Sequence, residues 1–286
     1  TSRRRNQNKM SDSGRVERPG LIQFYSDQRN APGHLYRSER RFLPWLAEQS
    51  HSVLDVGCAL GGFAAVWKAF NPEIHYVGAD LSSTLIQEAH RLQPTEDFLV
   101  ANGTTGIPFT DSSFDVVAAL GWLHFERRYP EALQELWRVA SNRLIFDVRL
   151  VGDGSTGQHG LQQVPLHSEL LSEDPPWPYL TVAWKMFADL VIGMQPSSIL
   201  VYGYEGYPGP GVVGIDGKVC FAVFVLEKSP TSVVFPEIIA QLPWPVPSQV
   251  ADRVVVLSPE ELDVRVPSPV DLHQVNPDEM PIDAAD

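Results

Sequence analysis

The segment of residues 52–63, SVLDVGCALGGF, places a carboxylate before a run of small side chains. Asp55 stands within an apolar stretch that predicts a strand, and Gly57, Ala59 and Gly61 follow it at alternate positions. Small residues at such a turn let backbone amides approach a nucleotide-like ligand at the carboxyl edge of a parallel sheet. A carboxylate beside that ligand repels a pyrophosphate and attracts a cation. These residues therefore indicate a nucleotide-like ligand that carries positive charge.

A second acid ends the next apolar run, IHYVGAD, at residues 74–80. A carboxylate after the second strand, here Asp80, suits the hydroxyls of a ribose. The same acid would serve NAD, so this residue alone leaves an NAD(P)-binding Rossmann oxidoreductase open as an alternative. A dinucleotide fingerprint reads G-x-G-x-x-G directly after the strand, however, and Ala59 stands at its intermediate glycine.

Alternating strand and helix signals position these residues. The predicted strands are residues 53–58, 74–80, 97–103, 113–120 and 142–150, and the predicted helices between them are residues 63–70, the run after Ser82, and residues 130–139. Further along the chain, residues 179–194 predict a helix, and residues 197–206 and 218–228 predict an antiparallel pair of strands. The pattern predicts an α/β fold with a Rossmann-like, seven-stranded, mostly parallel sheet, helices on both faces, and an antiparallel strand near the C-terminal end.

Two segments resemble class I S-adenosylmethionine-dependent methyltransferases of the small-molecule type. Residues 54–62, LDVGCALGG, resemble motif I of this family, and residues 101–117, ANGTTGIPFTDSSFDVV, resemble its third-strand loop and fourth strand. The cofactor of this family carries an ammonium and a sulfonium and no phosphate, which suits Asp55. Ala59 stands where the family has its middle glycine, and Asn102 stands where it commonly has an aspartate.

The resemblance implies S-adenosylmethionine as the methyl donor. Asp80 would bind both ribose hydroxyls, and Asn102 would accept a hydrogen bond from the adenine amino group through its carbonyl oxygen. Arg37, in the helix before motif I, would meet the cofactor's carboxylate or lie on a solvated helix face. The positions that match the family's cofactor site are Asp55, Gly57, Ala59, Gly61, Asp80, Leu81, Asn102, Gly103, Leu120 and Arg37.

Few residues suit the acceptor chemistry. A general base is needed only where the acceptor loses a proton, as an alcohol or phenol oxygen does. His124, after the fourth predicted strand, and His159, with His167, in the segment after the fifth, are the candidates, and a packed or solvated histidine is the alternative for each. Asp147 and Arg149 share one face of the fifth strand, where they hold a polar acceptor or form an ion pair.

Composition divides the 286 residues into three parts. Residues 1–20 predict a basic, flexible arm, residues 21–228 the methyltransferase domain, and residues 229–286 an acidic, proline-rich extension. Residues 151–195 are predicted to form an insertion over the acceptor site. The net charge of −13 argues against a nucleic-acid partner. No apolar run is long enough for a membrane span, and the sequence predicts a cytoplasmic protein without a metal site.

These observations predict a methyltransferase for a small-molecule acceptor, with oxygen as the favoured acceptor atom. Two alternatives stay open at this point: the NAD(P)-binding oxidoreductase, and a non-catalytic relative that retains the fold as a binding protein. Ala59 and Asn102, the two departures from the family pattern, are what favours the non-catalytic alternative. The sequence predicts neither the identity of the acceptor nor an oligomeric state.

Overall fold

The computed structural model describes residues 21–26, 29–152, 157, 159–162, 176–209, 211–229, 236–245, 255–257 and 266. The α-helices are α1 (Leu21–Ser26), α2 (Arg37–Glu48), α3 (Gly62–Phe70), α4 (Ser83–Leu92), α5 (Tyr129–Val139) and α6 (Trp184–Gly193). The strands are β1 (Ser52–Val56), β2 (His75–Asp80), β3 (Asp97–Val100), β4 (Phe114–Ala119), β5 (Ala140–Val151), β6 (His159–Gln162), β7 (Trp177–Leu180), β8 (Val182–Ala183), β9 (Ser198–Gly206), β10 (Val212–Val213), β11 (Val219–Glu227), β12 (Glu237–Gln241) and β13 (Val255–Leu257). Short 3-10 helices lie at Pro32–His34 and Leu123–Phe125.

The main sheet has the order β13-β12-β9-β11-β5-β4-β1-β2-β3, and β8 pairs with the end of β5. Strands β1 to β5 pair in parallel, whereas β11 runs antiparallel to both β5 and β9. This arrangement confirms the predicted Rossmann-like fold with its antiparallel strand. Because the carboxyl ends of β1, β2 and β4 meet at one edge of the sheet, the loops that follow these strands lie side by side.

The sheet has ten strands, three more than the predicted seven. Two of the additional strands, β12 and β13, follow residue 228, the predicted end of the methyltransferase domain. Without them β9 would be an edge strand with unpaired backbone groups, and β12 covers that edge by pairing Ile238 with Ile199 and Ile239 with Leu200. The third, β8, is a two-residue strand. The prediction missed these strands because each is short and the C-terminal segment is acidic and proline-rich on average.

Helices cover both faces of the sheet, as predicted. Along β4, Val117 and Ala119 join the apolar cluster that contains residues of α5 and α6. The alternate residues Val116 and Ala118 join the cluster that contains residues of α2 and α3. This alternation is what a parallel strand buried on both faces requires.

A second, smaller antiparallel sheet forms within the predicted insertion, in the order β10-β6-β7. Residues 177–180 belong to this sheet, pairing Leu161 with Pro178 and His159 with Leu180, so helix α6 begins at Trp184 and not at residue 179 as predicted. A proline inside residues 177–180 and the pairing with β6 favour the extended backbone there. Within the described ranges, no helix is long and apolar enough to cross a membrane.

Candidate active site

The loop between β1 and α3 turns through three residues with left-handed backbone angles. The φ values are 81° at Gly57, 48° at Ala59 and 74° at Gly61, which lies directly before α3. The backbone N–H groups of Gly57 and Cys58 donate to the Ala79 carbonyl oxygen at 2.7 and 3.1 Å. The loop is therefore fixed to the end of β2, and its remaining backbone groups line the sheet edge.

Trp122 is the wall against which this loop packs. Its Nε1 donates to the Val56 carbonyl oxygen at 2.7 Å. A Cβ atom at Gly57 would lie only 2.4 Å from the Trp122 ring, so only glycine fits between the ring and the turn. The first glycine of the motif therefore serves two needs at once, a left-handed backbone and close approach of an aromatic ring.

Asp80, at the end of β2, organises the same edge. One carboxylate oxygen accepts from the Ala59 N–H at 3.0 Å, and the other accepts from the Ser82 N–H at 2.9 Å. Burial raises the pKa of Asp80 above its usual value, while the hydrogen bonds from Ser82, Ala59 and Leu81 oppose that shift. Since each carboxylate oxygen has two lone pairs, Asp80 holds the loop and retains acceptor capacity toward a ligand.

Asp55 lies beneath the loop. Its carboxylate is buried and accepts a hydrogen bond from the Tyr76 hydroxyl at 2.7 Å. Burial raises the pKa of Asp55 to about 6. The side chain lines neither of the cavities described next, so its contact with Tyr76 places it under the glycine-rich turn and not on the ligand surface.

Two adjoining cavities open at this edge of the sheet. The first cavity lies over β2 and β3 and is lined mainly by Val56, Leu81, Ser82, Leu85, Ala101, Asn102, Gly103, Thr104 and Glu126. The second cavity lies over the glycine-rich loop and β5 and is lined mainly by Arg29, Tyr36, Cys58, Ala59, Leu60, Gly62, Phe63, Leu120, His124, Arg149, Gln162, Tyr179, Gly209 and Phe221. Both cavities share Tyr25, Gly57, Asp80, Gly121, Trp122, Phe125 and Trp177. The shared residues make them two parts of one site.

His124 is buried in the wall of the second cavity. Its ring lies 3.9 Å from the Phe125 ring and 5.3 Å from the Tyr179 ring, measured between centroids. The Nδ1 atom is enclosed and has no hydrogen-bond partner among the residues that the structure describes. Burial, with a further contribution from the Arg149 guanidinium, holds the pKa of His124 well below its usual 6.5. The imidazole is therefore neutral at neutral pH.

Asp147 and Arg149 form a buried ion pair beside His124. The Arg149 Nη1 donates to the Asp147 carboxylate at 2.6 Å, and its Nε donates to the Tyr179 hydroxyl at 3.2 Å. Asp147 also accepts from the Gly121 N–H at 2.5 Å. Burial alone would raise the pKa of Asp147, but the Arg149 guanidinium and other neighbours hold it below its usual value. The pair is ionised, and its Arg149 member reaches the second cavity.

A family model described as "Methyltransferase domain" matches residues 54–143. The matched span runs from Leu54 in β1 to Arg143 in β5 and so includes the glycine-rich loop, Asp80 and His124. The chain contains a class I methyltransferase domain. For such a domain the motif resemblance implies S-adenosylmethionine as the methyl donor.

Two curated relatives each match about a third of the chain. A tRNA (carboxymethyluridine(34)-5-O)-methyltransferase of Saccharomyces cerevisiae is 30% identical over 95 residues, which are 30% of this chain and 32% of that protein. A demethylmenaquinone methyltransferase of Deinococcus radiodurans is 31% identical over 98 residues, which are 33% of this chain and 40% of that protein. The chain thus covers less than half the length of either relative. The N-terminal domain of EvdMO1, crystallised in the presence of SAH and D-fucose, has the same fold, with a TM-score of 0.51, 15% identity, and coverage of 71% of this chain and 84% of that one.

The residues predicted for the cofactor site of the methyltransferase domain fall into four groups. Leu81, Asn102 and Gly103 line the first cavity, whereas Ala59 and Leu120 line the second. Gly57 and Asp80 line both. Asp55, Gly61 and Arg37 line neither cavity.

Asn102 lines the first cavity, but its carbonyl oxygen is already engaged. It accepts from the Thr104 backbone N–H at 2.9 Å and from the Thr104 hydroxyl at 2.6 Å. An amide oxygen has two lone pairs, and these bonds use both. The side chain therefore closes the turn after β3, and the predicted bond from an adenine amino group to this oxygen has no lone pair left to use.

Among the described residues before β1, Arg29 lines the site, whereas the predicted Arg37 does not. The Arg37 Nη2 donates to the Tyr202 hydroxyl at 3.5 Å, and its guanidinium lies over the Tyr204 ring. Arg29 lines the second cavity, forms an ion pair with the buried Glu39, and lies over the Phe63 ring at 4.6 Å. The position of Arg29 depends on a left-handed backbone angle, with a φ of 52°. The sequence around Arg29 does not indicate such an angle.

The structure describes one of the two histidines that were predicted as candidate bases after the fifth strand. His159 lies on β6 with an exposed side chain that lines neither cavity. His167 lies outside the described residues. Three residues from the predicted insertion do line the second cavity, namely Gln162, Trp177 and Tyr179. This segment therefore contributes aromatic and amide groups to the wall of the second cavity.

Proposed function

We propose that the methyltransferase domain transfers the methyl group of S-adenosylmethionine to an oxygen atom of a small-molecule acceptor in the second cavity. The observation that carries this proposal is the position of buried, neutral His124 in the wall of a cavity that adjoins Asp80 and the glycine-rich loop. Methyl transfer from a sulfonium needs alignment and exclusion of water more than acid or base catalysis. A base becomes necessary when the acceptor is a hydroxyl group.

The first cavity and the shared edge fit the nucleoside part of the cofactor. Asp80 retains acceptor capacity for ribose hydroxyls, and Leu81, Ala101 and Gly103 line the first cavity beside it. Arg29 is the cation of the second cavity that lies beside the glycine-rich loop, where it suits the carboxylate of the methionine part. The cofactor supplies the activated methyl group, and these residues hold and orient it.

His124 accepts the proton of the acceptor hydroxyl. Its Nδ1 atom is enclosed, so we assign this role to Nε2, with the proton of the neutral ring on Nδ1. The pKa of His124 lies well below its usual value, which keeps the ring in the proton-accepting form at neutral pH. The rings of Phe125, Trp177 and Tyr179 surround this position and limit the access of water.

The small size of the acceptor is supported by charge and enclosure. The chain carries a net charge of −13, whereas binding of an RNA needs clustered Lys and Arg side chains. Gln162, Trp177 and Tyr179 of the smaller sheet line the second cavity, and they would enclose an acceptor on that side. The name of the yeast relative makes tRNA the alternative acceptor to be tested.

Asp80 provides the test of the cofactor site. Asp80→Asn keeps a carbonyl oxygen for one backbone bond and removes the charge and one acceptor, so we expect the dissociation constant for S-adenosylhomocysteine to rise by about tenfold or more in calorimetry. Asp115→Asn is the matched control, because Asp115 also accepts two backbone N–H groups, from His51 and Ser52, at the amino end of β4. Equal affinities for the two variants would contradict the assignment of Asp80.

The acceptor class is tested with cofactor that carries an isotopic label in its methyl group. The protein is incubated in parallel with a host metabolite extract and with total host RNA, and the products are analysed by mass spectrometry. We expect a labelled small molecule that is heavier than its precursor by one CH₂ group, together with unlabelled RNA. Label in RNA alone would replace the small-molecule acceptor, and cofactor binding without any labelled product would favour the non-catalytic relative.

A further inference from the structure

Arg149 is a buried cation that has no role in the proposed methyl transfer. It projects from β5 into the wall of the second cavity, on the side that faces Tyr179 and Phe221. Its side chain is 4% exposed. Keeping a guanidinium in such a place costs free energy unless its charge and its donors are used.

The donors of Arg149 are only partly used. A guanidinium has five N–H groups. Within the described part of the chain, Nε donates to Tyr179 and Nη1 donates to Asp147, whereas Nη2 has no acceptor and is not enclosed. Both oxygens of Asp147 are engaged, one by Arg149 and the other by the Gly121 N–H. The ion pair therefore fixes the orientation of the guanidinium and leaves Nη2 for a ligand.

The two arginines of the second cavity lie at different places. Arg29 packs over Phe63 at the start of α3, beside the glycine-rich loop. Arg149 lies over the Phe221 ring at 4.3 Å and next to Tyr179, whose ring also contacts His124. S-adenosylmethionine carries one carboxylate, which suits Arg29 by position. The second cation then faces the acceptor.

Aromatic rings form the rest of the acceptor side. Phe125 packs against Trp177 and Tyr179, with ring centroids 5.3 and 6.1 Å apart, and His124 packs against Phe125. Such a surface favours a flat ring over a flexible or highly hydroxylated ligand. A guanidinium held in a fixed orientation binds a carboxylate through charge-assisted hydrogen bonds, here from Nη2.

We propose that the acceptor is an aromatic molecule that carries both a hydroxyl group and a carboxylate, with the carboxylate bound by Arg149 and the hydroxyl placed at His124. This inference rests on the proposed function and names the substrate class of the same site. The hydroxyl oxygen forms the new bond to the methyl carbon as the sulfonium–methyl bond breaks and S-adenosylhomocysteine leaves, and the hydroxyl proton goes to the His124 imidazole. Arg149 acts as the residue that determines specificity and takes no part in the transfer itself.

The test measures binding, so that it does not depend on turnover. Isomers of hydroxybenzoate and the matching hydroxybenzamides, which are neutral and nearly isosteric, are titrated by calorimetry into the full chain saturated with S-adenosylhomocysteine. We expect at least one hydroxybenzoate to bind about tenfold or more tightly than its amide, as a charge-assisted hydrogen bond implies. Equal affinities, or binding of neither series, overturns the inference.

Variants test whether Arg149 causes the preference for a hydroxybenzoate over its amide. The double substitution Asp147→Asn with Arg149→Gln replaces the ion pair by neutral isosteres, so no buried charge is left unpaired, and it is expected to remove the preference. Arg149→Lys keeps the charge but not the fork of donors, and a reduced preference is expected; it serves as the second variant if the double variant does not fold. Arg37→Gln is the matched control, since this arginine lines neither cavity, and its preference should equal that of the wild type.

The outcomes separate this inference from the proposed function. A preference that persists in the double variant overturns the role of Arg149. Loss of S-adenosylhomocysteine binding in a folded double variant assigns Arg149 to the cofactor and also overturns the inference. Failure of the wild type to bind S-adenosylhomocysteine counts against the proposed function, whereas cofactor binding without a preference for the carboxylate counts against the inference alone.

Discussion

His124 is the residue for which a catalytic role and a packing role predict different measurements. We expect His124→Asn to lower kcat by about 10²–10⁴-fold, because the acceptor hydroxyl loses its base, and to leave the affinity for S-adenosylhomocysteine nearly unchanged. If the ring only packs against Phe125 and Tyr179, the substitution lowers stability and cofactor binding together and leaves kcat of the folded fraction intact. Steady-state kinetics and calorimetry on the same preparation distinguish the two.

His159→Asn is the control for that substitution. His159 is exposed on β6 and lines neither cavity, so we expect kcat within about twofold of the wild type, since surface substitutions away from a site have small effects.

The pH profile of kcat gives a second check on His124. A base with a lowered pKa stays active as the pH falls through 6.5 and is lost only below its own pKa, so the acid limb of kcat should lie well below pH 6.5. An acid limb at or above pH 6.5 would contradict the assignment.

Asp55 links the stability of the domain to pH. Its pKa is raised to about 6 by burial, so the folded chain retains a proton that the unfolded chain has lost, and stability falls as the pH rises from about 4 through about 6. Asp55→Asn keeps an acceptor for the Tyr76 hydroxyl and carries no charge. We expect the free energy of unfolding of the variant, relative to the wild type, to rise by about 1–3 kcal/mol over this interval.

Denaturant unfolding at a series of pH values measures this difference. Tyr76→Phe is the companion variant, because it removes the hydrogen bond that favours the charged carboxylate and should move the transition to higher pH. A difference between Asp55→Asn and wild type that does not change with pH would show that Asp55 is ionised throughout. In that case its charge would be available to the cationic cofactor, as the sequence pattern first indicated.

The glycine-rich loop contains one residue that its conformation does not favour. Ala59 has a φ of 48°, and a left-handed alanine costs about 1–2 kcal/mol. Ala59→Gly removes that cost but increases the freedom of the unfolded chain, so we expect a gain in stability of up to about 1 kcal/mol. Ala64→Gly, in the buried interior of α3, is the control and is expected to lose about 1 kcal/mol. Thermal unfolding checks both, and a loss of stability for Ala59→Gly would mean that the alanine methyl group makes a compensating contact.

Most elements around the site follow from local pattern, and the exceptions have physical causes. Strands β1 to β5, helices α3 to α5 and the pair β9–β11 were predicted within a few residues, because apolar runs and turn residues mark their ends. The left-handed backbone of Arg29 does not follow from its neighbours, so its place in the second cavity could not be predicted, and the sequence pattern points to Arg37. The engagement of Asn102 by Thr104 was missed for a similar reason: an Asn-x-Thr spacing permits this turn without requiring it.

The sheet as a whole depends on a segment far from the site in sequence. Strand β12 covers β9, and Ile238 and Ile239 are completely buried, one in each of the two apolar clusters. Further along, the Arg41 side chain donates to the Val266 carbonyl oxygen at 2.5 Å, and Val266 is itself buried. Ile238, Ile239 and Val266 are therefore part of the core, although the average composition of the segment after residue 228 predicted an extension.

We expect Ile239→Ala to lower the free energy of unfolding by about 2–5 kcal/mol, because it leaves a cavity between β12 and the face that carries α2 and α3. Val213→Ala is the control: this valine lies on β10 with an exposed side chain, and a change within about 0.5 kcal/mol is expected. Denaturant unfolding monitored by tryptophan fluorescence measures both. Equal stabilities for Ile239→Ala and wild type would mean that β12 is detached from the sheet in solution. Since Arg149 and Phe221 line the second cavity from β5 and β11, which β12 supports through β9, we expect a detached β12 also to weaken ligand binding there.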